Sequence, residues 1–237
     1  NAMDMVDDYG DGGDPIIDKS EFLMSLIGEL DESLVGPKEH SIIDRCAKEV
    51  YHQCAVSGET PTLIHLRKKL LEQPEEEAKS LALSLELFTS GSLDAFAHPT
   101  NVDVQNRMVV YDIFDLGKQL KTMGLLVITD AMINRVTENW KKGKRTHIFI
   151  DEFHVVFENE YSGEFFNSAW RRFRKRNAYP TAITQNVEYL LDSVLASSML
   201  SNSEFIVMLN QAASDREKLA KLLNISSEQM SYITNSD

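Results

Sequence analysis

The stretch Arg145-Thr146-His147-Ile148-Phe149-Ile150-Asp151-Glu152-Phe153 constrains this chain more than any other. A basic lead-in, Lys141 to Arg145, gives way to a short apolar run that ends in two adjacent carboxylates. A brief β-branched run bounded by turn residues reads as a buried strand of the kind found in parallel sheets. Carboxylates at the C-terminal end of such a strand sit where open α/β sheets place their ligands. Asp151 there can hold Mg²⁺, usually through water, because that ion prefers hard oxygen ligands. Glu152 can polarise a water for attack on phosphorus. Taken alone, the pair also reads as a helix start with Asp151 as N-cap.

Two further segments narrow the choice. Pro180-Thr181-Ala182-Ile183-Thr184-Gln185 reads as a second short strand ending in a polar pair. Between the two lies a helix ending Trp170-Arg171-Arg172-Phe173-Arg174-Lys175-Arg176-Asn177. With these segments the chain resembles the C-terminal ATPase region of the VirB4/TraE-type ATPases of conjugative type IV secretion systems. The resemblance rests on Ile148–Phe153, the shape of a Walker B segment, on Arg174-Lys175, on Ile183-Thr184-Gln185-Asn186 and on Asn224 to Gln229. It reaches back to Pro61-Thr62-Leu63 and to Leu87–Gly91. Arg176-Asn177-Ala178 follows the basic pair where the family pattern has a glycine nearby.

A phosphate-binding loop needs glycine-rich backbone N–H groups followed by Lys and Ser/Thr. No G-x-x-x-x-G-K-[ST] occurs in this sequence. The nearest imitation, Gly13 to Ser20, has Asp18 in place of a glycine, and Asp4, Asp7, Asp8, Asp11 and Asp14 crowd it with negative charge. The expectation is a piece of a larger protein that begins after its Walker A loop, with Asn1-Ala2 as an expression scar.

The net charge of −13 argues against a general nucleic-acid coat, which needs clustered Lys/Arg. Cys46 and Cys54 lie eight residues apart on one predicted helix, about 12 Å, too far for a disulfide's limit of about 7 Å. Zinc is not expected from two cysteines without a Cys-His cluster, and a reducing compartment fits. No run of 18 apolar residues marks a membrane span.

Residues 1–17 read as an irregular acidic lead-in carrying little core. Residues 18–104 read as a helical module. Its helices are Lys19–Leu30, one opened by Pro37, one with Thr60 as N-cap and Pro61 in the first turn, and one from Pro74 to about Thr89. Residues 105–237 read as the α/β part: a strand over Arg107–Ile113, a helix over Lys118–Trp140, the carboxylate strand, a helix over 162–177 and the Thr181–Thr184 strand. A helix over 187–200, a strand over Glu204–Asn210, a helix over Asp215–Leu223 and a last helix from Ser226 complete it. The fold class is α/β, a partial RecA-like P-loop NTPase sheet, mainly parallel, with an all-helical insertion. In the family's sheet the phosphate-loop strand lies between the strand ending at Gln185 and that at 204–210, so a gap or exposed edge is expected.

The resemblance implies ATP and Mg²⁺ as ligands, with Asp151 holding the ion through water and Glu152 activating the attacking water. It makes Gln185 a phosphate sensor, with Thr184 helping at the same place, and Arg174 a finger reaching a neighbouring subunit. Arg176, Gln211 and Arg216 are weaker nucleotide-site candidates, while Arg171, Arg172 and Lys175 read as a solvated face. The implied partners are further copies of the chain (a hexamer when intact, a dimer of this piece), other secretion components and DNA. The implied place is the cytoplasm, peripheral on the cytoplasmic membrane face. A docking module or degenerate homologue remains an alternative. So does a metal-dependent nuclease using Asp151, Glu152 and His154, which lacks the further carboxylates of two-metal chemistry.

Overall fold

Helix ends in this chain are set by local chemistry. The computed structural model describes residues 1–237 except 7, 9, 11, 159, 186–192, 210–216, 218, 221–222, 224, 231 and 233–237; 118, 119, 201 and 227 are described by their backbone. Helix α1 (Pro15–Leu30) starts on Asp14, whose carboxylate accepts the Ile16 N–H, with Pro15 in the first turn where its missing N–H costs nothing. Helix α2 (Pro37–Ser57) ends at Gly58, whose left-handed φ of 76° lets its N–H reach the Cys54 carbonyl. Helix α3 (Leu63–Leu71) begins later than the Thr60-Pro61 pair suggests. Thr62 is the N-cap, and its hydroxyl lies 2.8 Å from His65 Nδ1 instead of holding a backbone N–H. Helix α4 (Glu76–Ser84) carries Glu76 and Glu77 in its first turn, where carboxylates complement the helix dipole. It stops short of Thr89. Residues 86, 88 and 89 donate to carbonyls three positions back, a tighter winding than α.

Helices α1 to α4 enclose the larger core, built on Phe22, Leu23, Leu26, Ile27, Ile43, Cys46, Leu63, Leu66, Leu70 and Leu81. The lead-in contributes to it, contrary to its acidic composition. Ala2 and Met3 are buried there. The Ala2 N–H donates to Phe96 O, and the Tyr51 hydroxyl to Met3 O at 2.7 Å. Two apolar side chains with satisfied backbone outweigh Asp4, Asp8 and Asp14, which stay near the surface or pair. Cys46 and Cys54 are buried free thiols, and burial pushes the Cys46 thiol up to about 11 from 9.0. That leaves about a hundredfold less thiolate at neutral pH. Alkylation of the native chain by iodoacetamide, followed by mass spectrometry, is expected to be at least that much slower at Cys46 than in urea-unfolded protein.

Helix α5 (Lys118–Lys141) joins the two halves of the molecule. Met123, Leu126 and Val127 lie in the helical core, whereas Ile133 and Val136 pack beneath the sheet. The expected boundary at residue 104/105 is therefore not where the cores divide. Between them sits a buried ion pair: Lys19 Nζ lies 2.5 Å from Asp130 Oδ2 and 4.6 Å from the Phe22 ring centroid. Burial pushes the Asp130 carboxyl above its ordinary range, and Lys19 pulls it back.

Strands β1 (Thr146–Ile150) and β2 (Ala178–Ala182) pair in parallel, Thr146 with Ala178 through Ile150 with Ala182. Helix α6 (Glu160–Lys175) connects them. Ile148 and Ala178 point down onto Ile133, Val136, Ala169 and Phe173. His147 and Tyr179 stack on the other face, with Phe149 beside them and 71% exposed. The ladder runs past β2, since the Ile183 N–H donates to Ile150 O and Phe153 N–H to Ile183 O. By alternation, the main-chain polar groups of Ala178, Pro180 and Ala182 then point to the open edge of β2. Pro180 brings no N–H there, a common way of blunting an edge.

Two expected strands do not form. Residues 107–113 and 204–209 have no strand pairing, so among the described residues the sheet has two strands and open edges. Alternating apolar residues favour an extended backbone, but a strand also needs a neighbour in register, which only the tertiary fold supplies. Helix α7 (Val194–Ser201) covers the end of the expected 187–200 helix, and α8 (Ser227–Met230) is a single turn. The rest of the 187–200 helix and most of the 215–223 helix fall outside the described residues. No described helix is long and apolar enough to cross a membrane.

Candidate functional site

β1 delivers Asp151 and Glu152 to its C-terminal rim through a tight turn. Glu152 has φ 49° and ψ 43°, a left-handed conformation that costs a non-glycine residue about 1–2 kcal/mol. Such strain persists only where the surroundings enforce it, and it concentrates at functional sites. Three contacts enforce it here. Asp151 Oδ1 accepts the Glu152 N–H at 2.9 Å. The Phe153 N–H is held by Ile183 O. The Phe153 ring is buried against Phe157, Phe166 and Trp170.

The turn aims the Glu152 carboxylate across to the end of β2. Gln185 Nε2 donates to Glu152 Oε1 at 2.6 Å. The other oxygen, Oε2, is buried and among the described residues makes no hydrogen bond, although His154 Nδ1 approaches it to 3.3 Å. The same His154 Nδ1 lies 3.3 Å from Thr184 Oγ1. Glu152, His154, Thr184 and Gln185 thus form one cluster at the rim, with Asp151 exposed beside it. His154 had weak sequence support. Its place follows from the short 3₁₀ turn Phe153–Phe157 after Glu152, where the sequence reads as a short helix followed by a loop over 154–161. Among the described residues no three His, Cys, Asp or Glu side chains converge as a metal-binding group, so the nuclease alternative gains no support.

Residues 66–236 match the family model of the TraG P-loop domain. The chain belongs to that family. The solved VirB4 structure of Thermoanaerobacter pseudethanolicus superposes with a TM-score of 0.76 at 19% identity, over 94% of this chain. At that identity the likeness is one of fold: a P-loop NTPase architecture, here mostly helical with a small parallel sheet. The chain spans 65% of that VirB4 chain. No curated protein matches it.

In this TraG P-loop domain the arginines divide. Arg174 is exposed near the end of α6, which returns to the N-terminal end of the sheet. The five-residue strands separate it from the Glu152 rim of its own chain by roughly 16 Å. Arg176, a sequence candidate for nucleotide contact, is turned inward instead. It is 6% exposed, and its Nη1 donates to Thr137 Oγ1 of α5 at 2.9 Å. Arg172, read as solvated, ties α6 to α1 through Asp18 at 2.7 Å. Arg171 and Lys175 are exposed as expected. Gln211 and Arg216 lie outside the described residues. The segment imitating a phosphate loop folds as the start of α1, with Lys19 fully buried on Asp130 and so withdrawn from any phosphate.

Proposed function

We propose that this TraG P-loop domain carries the carboxylate rim of an ATP site in a conjugative transfer motor of the type IV secretion kind. The observation that supports it best is the 2.6 Å bond from Gln185 to Glu152 at the C-terminal rim of a parallel strand pair. Two carboxylates and a carboxamide offer the hard oxygens that suit a Mg²⁺–triphosphate group. That group, when bound, supplies the phosphoryl centre and neutralises charge on it. Asp151 would hold the ion through water. Glu152 takes the proton of the attacking water, and among the described residues its Oε2 accepts no hydrogen bond. Gln185 fixes the opposite oxygen and senses the terminal phosphate. Thr184 acts at the same rim beside His154. Arg174 serves the site of a neighbouring subunit in a ring, a hexamer in the intact protein, because it cannot reach its own. Gln211 and Arg216 complete the candidate nucleotide contacts.

In this reading hydrolysis drives the transfer of DNA or protein. Other secretion components are the partners, and the motor lies peripherally on the cytoplasmic face of the cell membrane. The chain by itself binds ATP weakly and hydrolyses little, since it has no phosphate-loop lysine. Glu152→Gln, placed in a longer form that includes a phosphate-binding loop, is expected to lower ATP hydrolysis at least about a hundredfold. Binding of a fluorescent ATP analogue should persist. Undiminished hydrolysis in that variant overturns the assignment.

A further inference from the structure

Positive charge is gathered at one end of the sheet. Nine of the chain's 24 Lys and Arg fall in 141–145 and 171–176, which hold no Asp or Glu, although the whole chain carries −13. Both runs meet where the strands begin, since Thr146 pairs with Ala178 and its N–H donates to Asn177 O. Arg172 and Arg176 are engaged with Asp18 and Thr137. Lys141 and Lys142 are held by Asp8 and Glu138 at 3.0 and 3.8 Å. Lys144, Arg145, Arg171, Arg174 and Lys175 are exposed and, among the described residues, make no ion pair. From this end the strands carry rings on their outer face. His147 and Tyr179 are register partners and stack, with centroids 5.2 Å apart and planes at 21°. Phe149, two residues further along β1, is 71% exposed and Tyr179 47%. Helices α5 and α6 pack on the inner face and leave these rings bare.

We propose that the outer face of β1 and β2, with the basic end that leads into it, binds a single-stranded nucleic acid. Lys144 and Arg145, immediately before β1, meet the phosphates, and Lys175 at the end of α6 adds charge at the same edge. Unpaired bases bring flat π faces that stack on Phe149 and Tyr179 whatever the sequence. Other polyanions fit less well. A duplex keeps its base faces inside its own stack. A bilayer is met by an amphipathic helix that sinks its apolar side into the lipid, whereas these rings stand on a hydrogen-bonded strand pair. An acidic peptide would use the cations and leave the rings idle. A single strand uses both. The acidic remainder of the surface confines the contact to this end, so its affinity is modest. The Glu152 rim lies at the opposite end of the strands, so the contact stands whether or not that rim binds ATP, and it does not require Arg174.

Fluorescence anisotropy of a labelled oligothymidylate of about 16 nucleotides, titrated with this chain at about 50 mM salt, tests it. Micromolar binding is expected, weakening as salt rises because phosphate contacts release counterions. The double reversal K144E/R145E should weaken it at least about tenfold and flatten the salt dependence. Phe149→Ala should weaken it at least about fivefold and leave the salt dependence unchanged. The reversal K38E/K48E makes the same charge change on two exposed lysines of α2 and should have little effect. All these side chains are exposed, so the fold is not at stake, and an unchanged circular dichroism spectrum checks that. The proposal is overturned by no binding at that salt, by equal losses in K38E/K48E and K144E/R145E, or by indifference to Phe149→Ala. A duplex of the same length bound as tightly overturns it too, as do phosphatidylglycerol vesicles that displace the oligonucleotide.

Discussion

Replacing Asp130 by alanine is expected to destabilise the chain by about 3–5 kcal/mol, because it strands a buried ammonium. Lys19 is fully buried, and its Nζ has Asp130 Oδ2 at 2.5 Å as its only carboxylate partner among the described residues. Its other polar contact, with Ala2 O at 3.5 Å, is long. The Phe22 ring at 4.6 Å helps a cation but cannot replace a counter-charge. Asp130 also accepts from Asn134 Nδ2 at 3.3 Å, and Asn134 in turn donates to Asp4 O, so the pair anchors the N-terminal segment as well as α1 to α5. The double change Lys19→Met with Asp130→Leu is expected to cost much less than either single change that strands a charge, since an apolar pair needs no desolvation of ions. Urea unfolding followed by circular dichroism reads both. Equal losses in D130A and the double variant would show that the cost is packing, not a stranded charge.

Phe173→Ala is expected to cost about 3–5 kcal/mol by a different route. Phe173 is completely buried and holds α6 against the sheet together with Ile133, Val136, Ile148, Ala169 and Ala178. Removing the ring leaves a cavity in the smaller core, which has few other large side chains to collapse into it. The loss should be local. Amide exchange by mass spectrometry is expected to show β1 and β2 losing protection while α1 to α4 keep theirs, because Phe22, Leu26, Ile43 and Leu66 lie in a separate cluster. Uniform loss across both cores would mean that the chain unfolds as one unit. The Glu152 rim should fail with the sheet, since the Phe153 turn is bonded to Ile183 at the end of β2.

Much of this could be read before any coordinates. The carboxylate strand and the helix after it are present, the second strand lies at Ala178–Ala182, earlier than the expected Thr181–Thr184, and the expected neighbours Glu152 and Gln185 touch. Those elements were legible because each is short, strongly patterned and bounded by turn or charged residues. The Arg107–Ile113 and Glu204–Asn210 strands misled for the same reason. Their alternation is genuine, and the exposure of Met108, Val110, Phe205 and Val207 still follows it, but among the described residues no strand pairs with them. The acidic lead-in misled through composition, which weighs every residue alike, whereas Ala2 and Met3 alone decide that it packs. Arg176 shows the limit for charge runs. Adjacent Arg and Lys residues on a helix end look alike in sequence, yet one is turned to Thr137 in the core while Arg174 faces solvent.

By itself the amino-acid order determined most of the helices, the start at Pro37, the parallel βαβ unit and the acidic pair at the strand end, whereas the first helix begins at Pro15, one turn before the expected Lys19. All of these follow from short-range periodicity and turn chemistry. Only the tertiary structure decided which strands find partners, that Lys19 is spent on Asp130, and that Glu152 adopts a left-handed turn that swings it onto Gln185. Each of those depends on groups dozens of residues apart meeting at hydrogen-bond distance, which local pattern does not encode.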